Sequence, residues 1–182
     1  ISVGREGFAW TGTERISRIA AWPSWTPPPE MRQRQPGLPV TVSGGLINPL
    51  GAKALYLGNT VYRIHGTNNP RSIGRASSSG CFRMMNEHVA HLATLRRMST
   101  SIAGMLNEGK SPVTEAALVK DLGTTFEQSI PEITRRLLPL EPRGGGNGQV
   151  YDGLQQLAQM QAPCYSIRGG TREILRGMIA RG

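Results

Sequence analysis

The sequence predicts an α+β chain, with a β-rich first half and an all-α helical-bundle segment after it. Three observations predict this. Composition changes near residue 90, from Gly-, Pro-, Ser- and Trp-rich sequence with short apolar stretches to long stretches at helical spacing. Gly58-Asn59 separates two short apolar runs, as a hairpin turn does. From Val89 onward, apolar residues recur every third or fourth position. No internal repeat links the halves, so the expected regions are 1–91 and 92–182.

In the first half, Phe8 to Gly12 reads as a short strand ending at a glycine. Trp22 to Pro39 holds six prolines and is expected as an ordered loop or lid, pinned by Trp22 and Trp25. Val40 and Val42 alternate with Thr41 and Ser43, the pattern of a half-buried strand. Leu55 to Gly66 reads as a hairpin. In its second strand Val61, Arg63 and His65 share one face, and Tyr62 and Ile64 the other.

In the second half, Val89, Leu92, Leu95, Met98, Ile102 and Met105 form one face of a helix ending near Gly109. Ser111-Pro112 reads as the next helix start, with Glu115 favoured by the helix dipole. Its stripe runs Ala116, Val119, Leu122, Phe126, Ile130, Ile133 and Leu137, and Pro131 should break or kink it near Ser129. Gly144 to Gly148 reads as a flexible connector. A last helix is expected from Thr171, burying Ile174, Leu175, Met178 and Ile179.

The 182 residues carry a formal charge of +9, with 18% charged and 38% apolar residues. Residues 1–91 hold net +6 and residues 92–182 net +3. Such a field suits anionic partners: nucleic acid, a membrane surface or an acidic polymer such as cell-wall glycan. Aromatics at 5%, with no helix-turn-helix or zinc-finger spacing, argue against nucleic acid. No run of about 18 apolar residues and no basic-then-apolar leader is visible, so neither a transmembrane helix nor a signal peptide is expected. Cys81 and Cys164 are too few for a disulfide framework.

His65 and Cys81 stand sixteen positions apart, separated by a stretch rich in Gly, Ser and Asn. A thiol with an imidazole partner is a nucleophile, because the imidazole or a nearby arginine favours the thiolate. The small residues before Cys81 leave room for a substrate carbonyl, and backbone N–H groups around Gly80 and Cys81 are candidate oxyanion donors. Two packed core residues would show the same pair in sequence, since free cysteine behaves as a small hydrophobe.

Tyr62-Arg63-Ile64-His65-Gly66-Thr67-Asn68, Ser72-Ile73-Gly74 and Ser78-Ser79-Gly80-Cys81-Phe82-Arg83-Met84, with Asn86 and Val89, resemble the L,D-transpeptidase (YkuD-type) catalytic domain. So do Trp22 to Pro28, Gly44-Gly45, Asn48 to Gly51 and Ala54 to Gly58. The resemblance spans residues 1–91. It implies cysteine acyl transfer on peptidoglycan stem peptides, without a cofactor, in the periplasm or cell envelope. Cys81 would attack a tetrapeptide donor stem and release its terminal D-Ala, and the thioester would pass to an acceptor amine. The resemblance makes His65 the general base, its ring oriented by the Gly66 carbonyl. It makes Tyr62, Ser78, Ser79, Gly80 and Arg83 the substrate-binding set. Position 79, often His or Lys in the family, is Ser here.

Ile102 to Leu106, Ser111 to Lys120 and Ile167 to Arg176 resemble instead the C-terminal helical domain of acyl-CoA dehydrogenases. This resemblance implies FAD as cofactor, a cytoplasmic location, and Gly170, Thr171 and Glu173 as a flavin-phosphate site at a helix start. Gly169 stands where many relatives carry a catalytic Glu, and the resemblance covers the C-terminal domain alone, so the implied fragment is expected to be inactive by itself. The fold implied overall is a truncated L,D-transpeptidase-like β-fold followed by a helical-bundle segment, a chimera joined between Asn86 and Leu95. The apolar helix faces would seek a sheet edge or a second copy in a homo-oligomer. No metal site is expected.

Overall fold

Two antiparallel strands joined at Gly58-Asn59 organise the first half of the chain. The structure, a computed structural model, describes residues 1–8, 10–137 and 146–182, apart from the side chains of 134, 136, 137 and 146–152. Two units separate, Ile1–Ala93 and Thr94–Gly182. The first contains β1 (Val3–Gly4), β2 (Ile16–Ala21), α1 (Pro29–Arg34), β3 (Lys53–Leu57), β4 (Arg63–His65), β5 (Ala76–Ser78) and β6 (Phe82–Arg83). The division between units falls inside α2 (Asn86–Asn107).

A four-stranded sheet runs in the order β2-β3-β4-β6, and β1 pairs with β5 beside it. β3 is antiparallel to β2 and β4, whereas β4 and β6 are parallel. Register then sets rows of side chains across one face. Ala20, Ala54, His65 and Arg83 form one row, and Arg18, Tyr56 and Arg63 the next. The alternate row, Ile19, Leu55, Ile64 and Phe82, points to the other face, where Leu55 is fully buried.

The polyproline stretch is not loop throughout. Pro29 occupies the first turn of α1, where a missing N–H leaves no bond unmade. Trp25 ties this segment by a two-bond bridge to Val42, and the Trp22 N–H donates to the Ala52 carbonyl at 2.8 Å although the Trp22 ring lies largely exposed. That bridge is all that forms of the strand expected at Val40 and Val42, and Val40 lies 71% exposed. Residues 8 and 10–12 are not strand either; Ala9 lies outside the described residues. Phe8 and Trp10 pack as rings, and nothing pairs with their backbone as a strand. Asn48 holds the segment in place. Its buried amide donates to the Pro23, Val42 and Ser43 carbonyls at 2.9–3.0 Å and accepts from the Leu50 N–H at 2.8 Å.

The second unit is helical: the end of α2, α3 (Val113–Leu137), α4 (Gly146–Gln161), a 3-10 turn (Ala162–Ser166) and α5 (Arg172–Arg181). α3 packs on α4, α5 and the 3-10 turn. Its buried face is Ala117, Asp121, Thr124 and Phe126, so the expected stripe is rotated and Ala116, Leu122 and Ile130 are exposed. Polar contacts choose that face. Asp121 binds Arg172 at 3.0 Å and Arg176 at 3.3 Å, and Lys120 donates to the Tyr165 carbonyl at 3.0 Å.

α3 also runs through Pro131 without a break. The Ser129 hydroxyl donates to the Phe126 carbonyl and Gln155 donates to the Pro131 carbonyl, so main-chain acceptors around the proline have side-chain partners. Of the expected connector, Gly146 to Gly148 is the first turn of α4, whereas 144 and 145 lie outside the described residues. α5 buries Leu175 as expected but leaves Ile174 exposed, because the Arg172 and Arg176 positions face Asp121. Burial would raise the Asp121 pKa, but hydrogen bonds from Arg172 and Arg176 hold it below the usual carboxylate range.

Replacing Asn48 by Ala removes its four side-chain bonds to the loop and leaves the buried Pro23 carbonyl without its partner. Asn48→Ala is expected to lower stability by about 2–4 kcal/mol. Urea denaturation should show a lower midpoint at unchanged slope; an unchanged midpoint contradicts the role.

Candidate active site

The site is built from two rows of one sheet face. β4 presents Arg63 and His65, and β6 sets Arg83 opposite His65. Carrying that register back by two residues puts Cys81 opposite Arg63, just before β6 begins. Cys81, His65, Tyr62, Ser78, Ser79 and Arg83 all line one cavity of about 230 Å³. Six of the eight site residues expected in the first half thus line one cavity, and Gly66 and Gly80 stand next to His65 and Cys81 in the chain.

His65 is 4% exposed. Its Nδ1 lies 2.6 Å from the Gly66 carbonyl oxygen. A carbonyl can only accept, so Nδ1 carries the proton and Nε2 keeps the free lone pair. Burial lowers the His65 pKa to about 4; the Gly66 bond opposes this, and the charges of Arg83 and Arg63 reinforce it. At neutral pH the ring is uncharged, with Nε2 ready to accept a proton.

The Gly66 carbonyl is itself held in place by Asn86, at the start of α2. Asn86 Oδ1 accepts from the Ala52 and Thr67 N–H groups at 3.0 and 3.1 Å, and Nδ2 donates to the Thr67 carbonyl at 3.1 Å. A Cβ on Gly66 would overlap Asn86 Oδ1, so this close approach requires glycine. Ala54, wholly buried next to His65 in its row, keeps the neighbouring position small.

The Cys81 loop is braced by Ser78, whose hydroxyl donates to the Cys81 carbonyl at 2.6 Å and accepts from the Gly80 N–H at 3.1 Å. This corrects one expectation: the Gly80 N–H is engaged by Ser78 and is not an oxyanion donor. Gly80 has φ +105°, and a Cβ there would run into the Tyr62 ring. Tyr62 packs in turn on Trp10, with ring centres 5.3 Å apart. The Cys81 Sγ is 3.9 Å from the Val61 carbonyl oxygen.

Gly170, Thr171 and Glu173 lie in the second unit, at the start of α5. Thr171 caps that helix, accepting from the Ile174 N–H at 3.5 Å, and a bond from Thr171 lowers the Glu173 pKa after that from its own backbone. The Ile174 N–H and the Glu173 carboxylate are thus engaged within the helix start itself. Among the described residues no cluster of three or more His, Cys, Asp or Glu could hold a metal.

Sequence reasoning missed Asn86 as the clamp on Gly66, Arg63 as a cavity residue and Trp10 as the support for Tyr62. Asn86 carried a readable signal, a polar residue opening a helix three positions after the end of β6. The link from Trp10 to Tyr62 is long-range and leaves no local trace.

Unfolded histidine titrates near 6.5, above the folded value. Between pH 6.5 and about 4 the unfolded chain takes a proton that the fold refuses. Stability from this group is therefore complete above pH 6.5 and lost as pH falls toward 4, by on the order of 3 kcal/mol. Denaturation across that range should show the decline, and His65→Gln should flatten it. An identical slope in the variant would contradict the assigned environment.

The family model for the L,D-transpeptidase catalytic domain, YkuD, matches residues 1–113. A Fuscovulum blasticum protein, ORF 5 of the ATP synthase subunits region and named as a candidate L,D-transpeptidase, is 42% identical over 50% of this chain and 48% of its own length. The probable L,D-transpeptidase YbiS of Escherichia coli K12 is 42% identical over 44% of this chain and 27% of its own. The candidate L,D-transpeptidase YkuD of Bacillus subtilis 168 is 48% identical over 35% and 33%. The chain therefore spans half or less of the length of these relatives. A solved structure, of a probable carnitine operon oxidoreductase CaiA from Brucella melitensis, is 42% identical over 50% of this chain and 62% of its own, with a TM-score of 0.33. More than half of the chain matches the family model, and this chain belongs to the YkuD family of L,D-transpeptidase catalytic domains.

Proposed function

We propose that the chain is a cysteine acyltransferase acting on peptidoglycan stem peptides at the cell envelope. The observation that carries this is a half-buried thiol and a neutral, tautomer-fixed imidazole opening on one cavity. Membership of the L,D-transpeptidase family supports a peptide substrate. The basic field of the first half suits an anionic polymer. Among the described residues no helix is long and apolar enough to cross a membrane.

In the first half-reaction the Cys81 sulfur bonds to the carbonyl carbon preceding the terminal D-Ala, and its proton passes to His65 Nε2. The carbonyl oxygen takes the electron pair, and the Cys81 N–H is the candidate donor to it. As the oxyanion collapses, the C–N bond breaks, and D-Ala leaves with the proton from His65. In the second, an acceptor amine attacks the thioester, His65 takes its proton, and the Cys81 thiol is regenerated. No cofactor enters either step. Because the imidazole is held neutral, the proton moves as sulfur attacks; a stored thiolate–imidazolium pair would need a charged His65 that burial disfavours.

A carbapenem presents a strained carbonyl to the same sulfur. Intact mass should show the full inhibitor mass added to the wild type and none added to Cys81→Ala. His65→Ala should slow labelling by about 10²- to 10⁴-fold. An adduct that persists in Cys81→Ala, or no adduct on the wild type, contradicts the reading.

A further inference from the structure

The cavity holds more positive charge than the acyl-transfer chemistry uses. Arg34 of α1, Arg63 of β4 and Arg83 of β6 all line it, against a single carboxylate, Glu30. Among the described residues none of the three arginines forms an ion pair, although Glu30 shares the cavity. Two are instead mounted on aromatic faces. The Arg63 guanidinium carbon lies 5.1 Å from the Tyr56 ring centre, and Arg34 lies 4.9 Å from that of Phe8, which Arg5 also approaches at 4.6 Å. Tyr56 pairs across the sheet with both Arg18 and Arg63, so Arg63 is locked in its row.

Arg63 is also partly stripped of water. Its Nε is buried and has no hydrogen-bond partner. An arginine fixed on a ring, partly desolvated and without a counter-ion is a preorganised receptor for a carboxylate. Its row runs on to Cys81, and in the substrate the carboxylate nearest the attacked carbonyl belongs to the departing D-Ala.

Resting on the acyl-transfer reading above, we infer that Arg63, assisted by Arg34, selects donor stems whose terminal D-Ala carries a free carboxylate. Neither residue reacts. Both bind the leaving residue and hold the scissile carbonyl over the Cys81 sulfur.

The test compares a tetrapeptide stem with its C-terminal carboxamide, following release of D-Ala or D-alaninamide by mass spectrometry. The wild type should favour the acid by about 10- to 100-fold in kcat/KM, the range for hydrogen bonds to a charged group. Arg63→Gln should bring the ratio close to one. Arg63→Lys, which keeps charge but loses the fork, should fall between. A change in His65 basicity alters both stems alike and cancels in the ratio. Carbapenem labelling of Cys81 separates the two claims: no adduct on the wild type means the acyl-transfer reading has failed. With the adduct intact, equal release from both stems or release from neither overturns the inference, as does an unchanged ratio in Arg63→Gln. If Arg63→Gln no longer labels, the exposed Arg34→Gln decides: a reduced ratio supports the inference and an unaltered one overturns it.

Discussion

One hydrogen bond, from His65 Nδ1 to the Gly66 carbonyl, sets the chemistry of this molecule. It fixes which ring nitrogen is free, and it does so through the residue next in sequence. That arrangement works only if the backbone turns sharply after β4, and Asn86 enforces the turn by bonding the Thr67 N–H and carbonyl together with the Ala52 N–H. The parallel pairing of β4 with β6 then delivers the cysteine loop to the same face. Strand register, the glycine at 66 and the amide at 86 thus converge on the orientation of one imidazole.

The same burial that holds His65 neutral also shapes the site's electrostatics. Beside that burial, two neighbouring guanidinium groups, Arg83 and Arg63, make a third positive charge on the ring unwelcome. Burial lowers the Arg83 pKa, while interaction with Cys81 opposes the effect. Under the proposed function, a cavity with cationic walls and a neutral base would handle an anionic substrate without neutralising its own catalyst. In that proposal, charge near the site serves binding and the uncharged imidazole serves proton transfer.

Much of the site was legible in sequence because its parts are local. The hairpin turn at Gly58-Asn59 and the Cys81 loop lie within short stretches whose residue types restrict the backbone strongly. His65 and Cys81 were readable as a pair only through the surrounding strings, since spacing alone is shared with packed core residues. What stayed hidden depends on long-range pairing. β1 and β5 are too short to show a period, and β2 alternates apolar and polar residues weakly. The expected strand at Val40 failed because Asn48 and Trp25 tie that segment through side-chain and bridge bonds, which hydropathy does not encode. In the helical unit, the apolar stripe of α3 misjudged its buried face because Asp121 and Lys120 draw that face toward α5 and the 3-10 turn. Ion pairs across helices outvoted the apolar period.

Nitrogen-15 NMR of the His65 side chain over a pH titration measures the central interaction directly. The expected spectrum is a neutral ring protonated at Nδ1, with Nε2 unprotonated, persisting down to about pH 4. A ring protonated at Nε2, or one titrating at the ordinary value near 6.5, would contradict it.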